Sequence, residues 1–219
     1  MKGKFRFSKA ALSPAKTFFV LILGLAAAFA VSSAEPAFAQ SARKTVVMLG
    51  DSLTAGGVWS RLDQRLHFVN LGVSGDGVAD VLRRLSLVEE AEPDLVFLQV
   101  GINDLAAGLT SEHVLAGHQA IWRQLLSARP NLRLIVCSLL PIGERFRNSQ
   151  QLNQIIVKFN AALFQAVREA ELEWVDLHSA MSDPRGYLPD FLSTDGIHLS
   201  EKGYEYWRAV LAPFLAAAK

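Results

Sequence analysis

The sequence has little of what marks several large protein classes. Its one cysteine, Cys137, can form no intrachain disulfide and no cysteine-based zinc site. It has almost no net charge: 22 Lys and Arg stand against 21 Asp and Glu, a formal +1 that offers nucleic acid no global attraction. A Gly-x-x-x-x-Gly-Lys-Ser/Thr phosphate loop is missing, and Gly72, Gly75 and Gly77 have the wrong spacing for a dinucleotide fingerprint. No Gly-x-Ser-x-Gly elbow exists, because Asp76 follows Gly72-Val73-Ser74-Gly75, and no His-Glu-x-x-His either. These absences remove disulfide scaffolds, zinc fingers and P-loop nucleotide enzymes. What is present is a chain 51% hydrophobic, enough for one substantial core, so a single domain is expected.

The first 39 residues read as a segment apart from that core. Lys2, Lys4, Arg6, Lys9 and Lys16 precede an uncharged run from Phe18 to Val31, which gives way to Ala37-Phe38-Ala39. This is the layout of a signal peptide cleaved near Ala39. Fourteen residues at about 1.5 Å each reach about 21 Å as a helix, short of the roughly 30 Å hydrocarbon core, so a permanent anchor is the weaker reading. Membrane contact is then transient, through the leader alone, and the mature protein, 40–219, is expected in the periplasm or outside the cell. Removing five of the 22 basic side chains and one of the 21 acidic ones leaves 17 against 20, net −3.

From Lys44 onward, short β-branched runs alternate with longer amphipathic stretches. Strands are expected at 45–49, 67–71, 95–100, 132–139 and 173–177. Helices are expected at 58–66, 78–90, 111–128, 149–170 and 200–218, the last capped by Ser200. Val46-Val47-Met48-Leu49 and Leu95-Val96-Phe97-Leu98 are apolar at consecutive positions, as strands covered on both faces are. The fold class is therefore α/β, a three-layer α/β/α sandwich around a five-stranded parallel sheet. Cys137 falls in a strand and reads as a small core side chain. Ile155, Phe159, Ala162 and Ala166 read as the core stripe of the fourth helix. The stretch 178–194 is the longest loop, and its Met181, Tyr187, Leu188, Phe191 and Leu192 are candidates for an apolar trough.

The polar motifs sit where such a sheet binds ligands. Gly50-Asp51-Ser52-Leu53 follows the first strand, Gly72-Val73-Ser74-Gly75-Asp76-Gly77 the second, Gly101-Ile102-Asn103-Asp104 the third, and Asp195-Gly196-Ile197-His198 lies beyond the fifth. All open onto the carboxyl edge of the sheet. Each alone is ordinary turn chemistry, but four on one edge converge on a site. A serine hydroxyl becomes a nucleophile only when a base takes its proton, and His is the side chain suited to that near neutrality. Of five histidines, His67, His113 and His118 lie at strand or helix positions and read as surface or capping residues. His178 and His198 remain. Asp195, three residues before His198, is placed to orient its imidazole, which favours His198 as base. Gly72, through its backbone N–H, and Asn103, through its side-chain amide, are the oxyanion donors of this reading. Asp51, Asp76 and Asp104 read as structural residues that bond loop backbone. A metal would draw on Asp51, Asp195 and His198; the reading taken needs neither metal nor nucleotide cofactor.

These four blocks, in this order, resemble the SGNH hydrolases, or GDSL esterases, named for a serine, glycine, asparagine and histidine that match Ser52, Gly72, Asn103 and His198. The resemblance spans 44–216. It implies a flavodoxin-like sheet, Ser52 as nucleophile, His198 as base, Asp195 as its partner, and an oxyanion hole of the Ser52 and Gly72 amides with the Asn103 side chain. Leu139-Leu140-Pro141-Ile142-Gly143-Glu144 is similar to the catalytic subunits of platelet-activating-factor acetylhydrolase. Gly50-Asp51-Ser52-Leu53-Thr54-Ala55-Gly56 equally resembles periplasmic arylesterases and the thioesterase/lysophospholipase branch. The expected activity is hydrolysis of small acyl esters through an acyl-enzyme on Ser52, with an acetylated glycan or a lysolipid as candidate partner and no nucleic acid. Longer acyl esters or thioesters are the second reading. A non-catalytic carbohydrate-binding domain of the cell envelope is the rival from another class, against which intact Ser52, Asp195 and His198 argue. Oligomeric state is not legible.

Overall fold

A computed structural model describes residues 43–215, so the leader and its cleavage site near Ala39 lie outside the described residues. Five parallel strands form one sheet: β1 (Thr45–Gly50), β2 (His67–Gly72), β3 (Leu95–Gln99), β4 (Arg133–Cys137) and β5 (Glu173–Val175), in the order β2-β1-β3-β4-β5. This is the flavodoxin-like order. The register pairs Gly50 with Gly72 on one side and with Gln99 on the other, so the three strands end side by side. Every residue of β3 is buried and β1 is buried from Val46 to Gly50, as strands sandwiched between helical layers must be. β2, at the edge, is exposed at His67 and Asn70 and half-buried elsewhere.

The helices are α1 (Ser52–Ala55), α2 (Val78–Arg83), α3 (Ser86–Glu90), α4 (Ile102–Ala106), α5 (Ser111–Ala128), α6 (Ser149–Glu169), α7 (Leu177–Met181) and α8 (Glu201–Leu215). α5 falls where the apolar periodicity places it, capped by Thr110, whose hydroxyl accepts the His113 N–H. Ser200 caps α8 by accepting the Gly203 N–H. Cys137 is fully buried, and burial raises its thiol pKa well above the usual value.

Several expectations need correction. The helix expected over 58–66 is only a single 3₁₀ turn, Trp59–Arg61, because the Asp63 carboxylate takes the Arg65 N–H and closes a competing turn. The helix expected over 78–90 breaks at Arg84, whose φ of −118° leaves the helical region while its guanidinium reaches back to the sheet. In α6 the core stripe is Leu152, Ile156, Phe159, Leu163 and Ala166; Ala162 faces solvent and Ile155 is half-buried. The 178–194 loop begins inside α7 and includes a 3₁₀ turn at Asp190–Leu192, and Met181, Leu188 and Leu192 are core residues. No apolar trough is left there: among those five only Phe191 is exposed, packed edge-on against Tyr206. Finally, His118 is no surface residue. It is fully buried, with its Nε2 donating to the Val100 carbonyl at 2.9 Å.

Burial lowers the His118 pKa to about 4. The unfolded chain, with an ordinary value near 6.5, therefore binds a proton that the folded chain refuses, and this part of the stability is present above about pH 6.5 and lost as pH falls toward 4. His118→Phe removes the group that refuses protonation. The stability deficit of His118→Phe, measured by denaturant unfolding at pH 7, is expected to shrink by roughly 2–3 kcal/mol at pH 4.5. A deficit independent of pH would contradict the neutral buried imidazole.

Candidate active site

The short turn from β1 into α1 places Ser52 at the first position of a helix. Asp51, just before it, caps that helix by accepting the Leu53 N–H at 3.0 Å. Ser52 is half-buried, with its side chain toward the 193–198 loop. Ser52 Oγ lies 3.1 Å from His198 Nε2, and His198 Nδ1 lies 2.6 Å from Asp195 Oδ2. A carboxylate can only accept, so the Nδ1 carries the hydrogen and Nε2 is left to accept from the Ser52 hydroxyl. The other carboxylate oxygen, Asp195 Oδ1, accepts the backbone N–H groups of Ile197 and His198 at 2.9 and 2.7 Å. Partial burial works to raise the Asp195 pKa, but the His198 ring and these two amides outweigh it and hold the carboxyl at about 2.

The loop that carries this pair is pinned from below. The buried Ser193 hydroxyl donates to the His198 carbonyl at 2.9 Å and accepts the Gly196 N–H at 2.7 Å. Gly143 N–H donates to the Gly196 carbonyl at 2.7 Å, and Arg145 donates to the Ser193 carbonyl. Gly196 has φ +98° and packs against Phe146 and Arg145, a conformation and a closeness that favour glycine. His178, the alternative base, is held elsewhere. It sits in α7, donates its backbone N–H to Ser138 Oγ and has a half-buried ring whose pKa burial lowers.

After β3, α4 presents Asn103. One hydrogen of its Nδ2 goes to the Asp76 carbonyl at 2.8 Å, which fixes the amide and leaves the second hydrogen for a ligand. Gly72 is placed differently from the sequence expectation. Its N–H lies at the end of β2 and is already given to Asn70 Oδ1 at 2.9 Å, so it has no donor to offer. Gly75, three residues on, has φ +87° and open space around it, and its N–H has no acceptor among the described residues. It belongs to the turn whose Asp76 carbonyl holds Asn103. The sequence signal for it was present, in a Gly-Asp pair after an exposed Ser, but Gly72 drew the assignment by its position at the strand end.

The surrounding acids behave mostly as structural groups. Asp104 accepts the Val78 N–H at 3.0 Å and anchors α2, and burial raises its pKa. Asp76, expected to bond backbone, instead forms an ion pair with Arg84 at 2.7 Å, both side chains largely covered. Arg84 was not singled out by sequence reasoning. It donates in addition to the carbonyls of Gly50 and Leu71 at 2.9 and 2.8 Å, so one guanidinium joins the ends of β1 and β2 to the Gly75 turn. Among the described residues no cluster of three His, Cys, Asp or Glu is arranged to hold a metal ion. A cavity of about 450 Å³ flanks the site between α4 and the start of α6, with Leu105, Phe146, Leu152 and Ile155 on its wall and Arg147 and Gln151 at its rim.

A serine, an imidazole and a carboxylate in hydrogen-bonded sequence at the carboxyl edge of a parallel sheet define the class of serine hydrolases. Residues 48–206 match the GDSL-like lipase/acylhydrolase family, and the chain belongs to that family. It is a hydrolase acting on esters. Over 165 residues it is 32% identical to platelet-activating factor acetylhydrolase IB subunit alpha1 of Pongo abelii and of Homo sapiens, an alignment covering 73% of this chain and 70% of the relative. The fold is shared with a GDSL-like lipase from Bacteroides thetaiotaomicron, with TM-score 0.70, 21% identity and coverage of 80% and 89% of the two chains. It is shared also with an acetyl xylan esterase, with TM-score 0.67, 20% identity and coverage of 78% and 99%.

Proposed function

We propose that the protein hydrolyses small acyl esters, acetyl above all, through an acyl-enzyme on Ser52. The observation that carries this reading is the continuous chain from Ser52 Oγ through His198 to Asp195, at 3.1 and 2.6 Å. His198 Nε2 takes the Ser52 proton as the oxygen attacks the ester carbonyl, and Asp195 holds the ring in the required tautomer and faces the imidazolium that forms. The oxyanion of the tetrahedral intermediate is received by the Ser52 N–H, the free Nδ2 hydrogen of Asn103 and the Gly75 N–H, which here replaces Gly72. His198 returns the proton to the leaving alkoxide, and a water activated by the same imidazole releases the acyl group. The leader pattern of residues 1–39 supports the same chemistry carried out after export.

Acetyl preference draws on two supports. The relatives with the highest identity named above carry acetylhydrolase in their names, and a fold neighbour is an acetyl xylan esterase. The burial of Met181, Leu188 and Leu192 adds to it, because the 178–194 segment then has no row of free apolar side chains to line a fatty chain. One observation favours the second reading, longer acyl esters or thioesters: the cavity beside α4 has an apolar wall and room for several methylenes, each contributing about 0.8 kcal/mol when buried.

Three measurements test the reading. Ser52→Ala and His198→Ala are each expected to lower kcat by at least about a thousandfold, and the double variant to be little worse than either, because proton abstraction is useless without its nucleophile. Near-normal turnover by His198→Ala would refute the assignment of the base. Gly75→Ala meets no atom and costs about 1–2 kcal/mol of backbone strain, so it should fold, yet lose tenfold or more in kcat as the turn shifts. Unchanged kcat there would return the oxyanion site to its other donors. Across nitrophenyl esters of two to twelve carbons, kcat/KM is expected to peak at two to four. A steady rise through eight would show that the cavity beside α4 holds the acyl chain.

A further inference from the structure

Asp51 is fully buried between β1 and α1, one residue before Ser52. Its Oδ1 does the work of a helix cap, accepting the Leu53 N–H. Its Oδ2 is also buried and has no hydrogen-bond partner among the described residues. Capping requires one oxygen and no charge, and Ser, Thr or Asn would supply it without burying an acid. A buried carboxyl oxygen without a partner is costly, so the fold alone does not explain why an acid stands here.

The groups that face Asp51 are few. From the 195–198 loop comes His198, and from the turn after β2 comes Asp76, whose charge is engaged by Arg84. From α8 comes Tyr204, whose hydroxyl donates to the Leu53 carbonyl at 2.9 Å. Neighbouring β3 carries uncharged Gln99 at the register position of Gly50, and its amide is likewise buried without a partner among the described residues. Of all these, only His198 gains a positive charge during turnover. Asp51 stands next to Ser52, whose Oγ lies 3.1 Å from His198 Nε2, so a buried carboxylate at position 51 and a positive charge on that ring attract one another.

We propose that Asp51 is a positioning residue of the hydrolase whose buried carboxylate, lying behind the nucleophile helix, stabilises the His198 imidazolium formed as Ser52 attacks. The inference rests on the Ser52–His198–Asp195 reading above. No bond to Asp51 is made or broken: the proton passes from Ser52 Oγ to His198 Nε2 and on to the leaving alkoxide, while Asp51 holds its charge. Asp195 and Asp51 thus act on the same ring in different ways. Asp195 is half-exposed and orients the ring by direct contact, whereas Asp51 acts at longer range through a medium that screens less. Burial pushes the Asp51 carboxyl up to about 7, so its charge appears within the working range of the enzyme.

The test uses the full chain with Asp51→Asn and Asp51→Ser, which keep a cap and remove the charge. The measurements are kcat and KM for nitrophenyl acetate from pH 5 to 9, and thermal unfolding across the same range. The wild type is expected to show two ionisations on the acid side of its kcat/KM profile, and each variant one. At pH 8 kcat should fall about tenfold in the variants with KM within twofold, the size expected of a charge felt at about 12 Å through an effective dielectric of about 20. The folded-state pKa lies above the unfolded value, so the wild type holds an extra proton when folded and loses stability as pH rises from about 4 through about 7. The variants do not, so their Tm relative to wild type should climb from pH 5 to pH 8. A folded variant with kcat within twofold, or a Tm difference independent of pH, overturns the proposal. Should neither variant fold, a single acid-side ionisation in the wild type overturns it and two sustain it. Ser52→Ala separates the layers: activity surviving that change defeats the triad reading itself, whereas an inactive Ser52→Ala beside a normal Asp51→Asn defeats only the role of Asp51.

Discussion

The close approach of backbone at Gly50 is the constraint on which the site depends. Gly50 pairs with Gly72 and Gln99 at the end of the sheet, and a Cβ there would overlap both the Gln99 carbonyl oxygen and the Thr54 hydroxyl. With only hydrogen at that position, the chain leaves β1 and turns at once into α1, and Ser52 emerges at the strand end instead of several residues away. Arg84 secures the same junction from the other side by donating to the carbonyls of Gly50 and Leu71, the first of which also accepts the Val73 N–H at 3.0 Å. Every other part of the site is placed relative to this turn.

The two halves of the site are built by different means. The donor side, with α4 and the Gly75 turn, is rigid because it is cross-linked: Asn103 to the Asp76 carbonyl, Asp76 to Arg84, Asp104 to the Val78 N–H. Preorganised donors are useful to catalysis because they need not reorient when charge develops. The proton-transfer side is a loop, and its order comes from Ser193, Gly143 and Arg145 beneath it. Its two functional side chains remain about half-exposed, open to the ester and to the water that must follow it.

How the same residue type serves opposite ends is visible in three acids. Asp195 accepts three hydrogen bonds from its own loop and stays ionised at low pH. Asp104, buried with the Val78 N–H as its donor, has its pKa raised by burial. Asp51, fully buried with one oxygen unpartnered, is pushed furthest. The number of donors against the extent of burial accounts for the sequence of behaviours, with no appeal to distance along the chain.

The sequence by itself determined the layering and the strand ends. Runs such as Val46 to Leu49 and Leu95 to Leu98 tolerate no solvent on either face, and five strands with intervening helices leave a parallel sheet as the arrangement that covers them. Because such a sheet directs all its βα turns to one edge, Ser52 and the Asp195–His198 pair were legible as neighbours from order alone. Short-range competition was less legible: a single Asp63 side chain ended a helix that periodicity favoured, and Arg84 broke another to reach carbonyls far off in sequence. Tertiary structure alone decided which glycine keeps a free N–H, because Gly72 lost its donor to Asn70, a side chain whose direction depends on edge-strand packing. It alone decided that His118 is buried, that the 178–194 segment packs inward, and that one oxygen of Asp51 has no partner among the described residues. Each of these depends on which atoms surround a group in space, and local pattern carries no record of that.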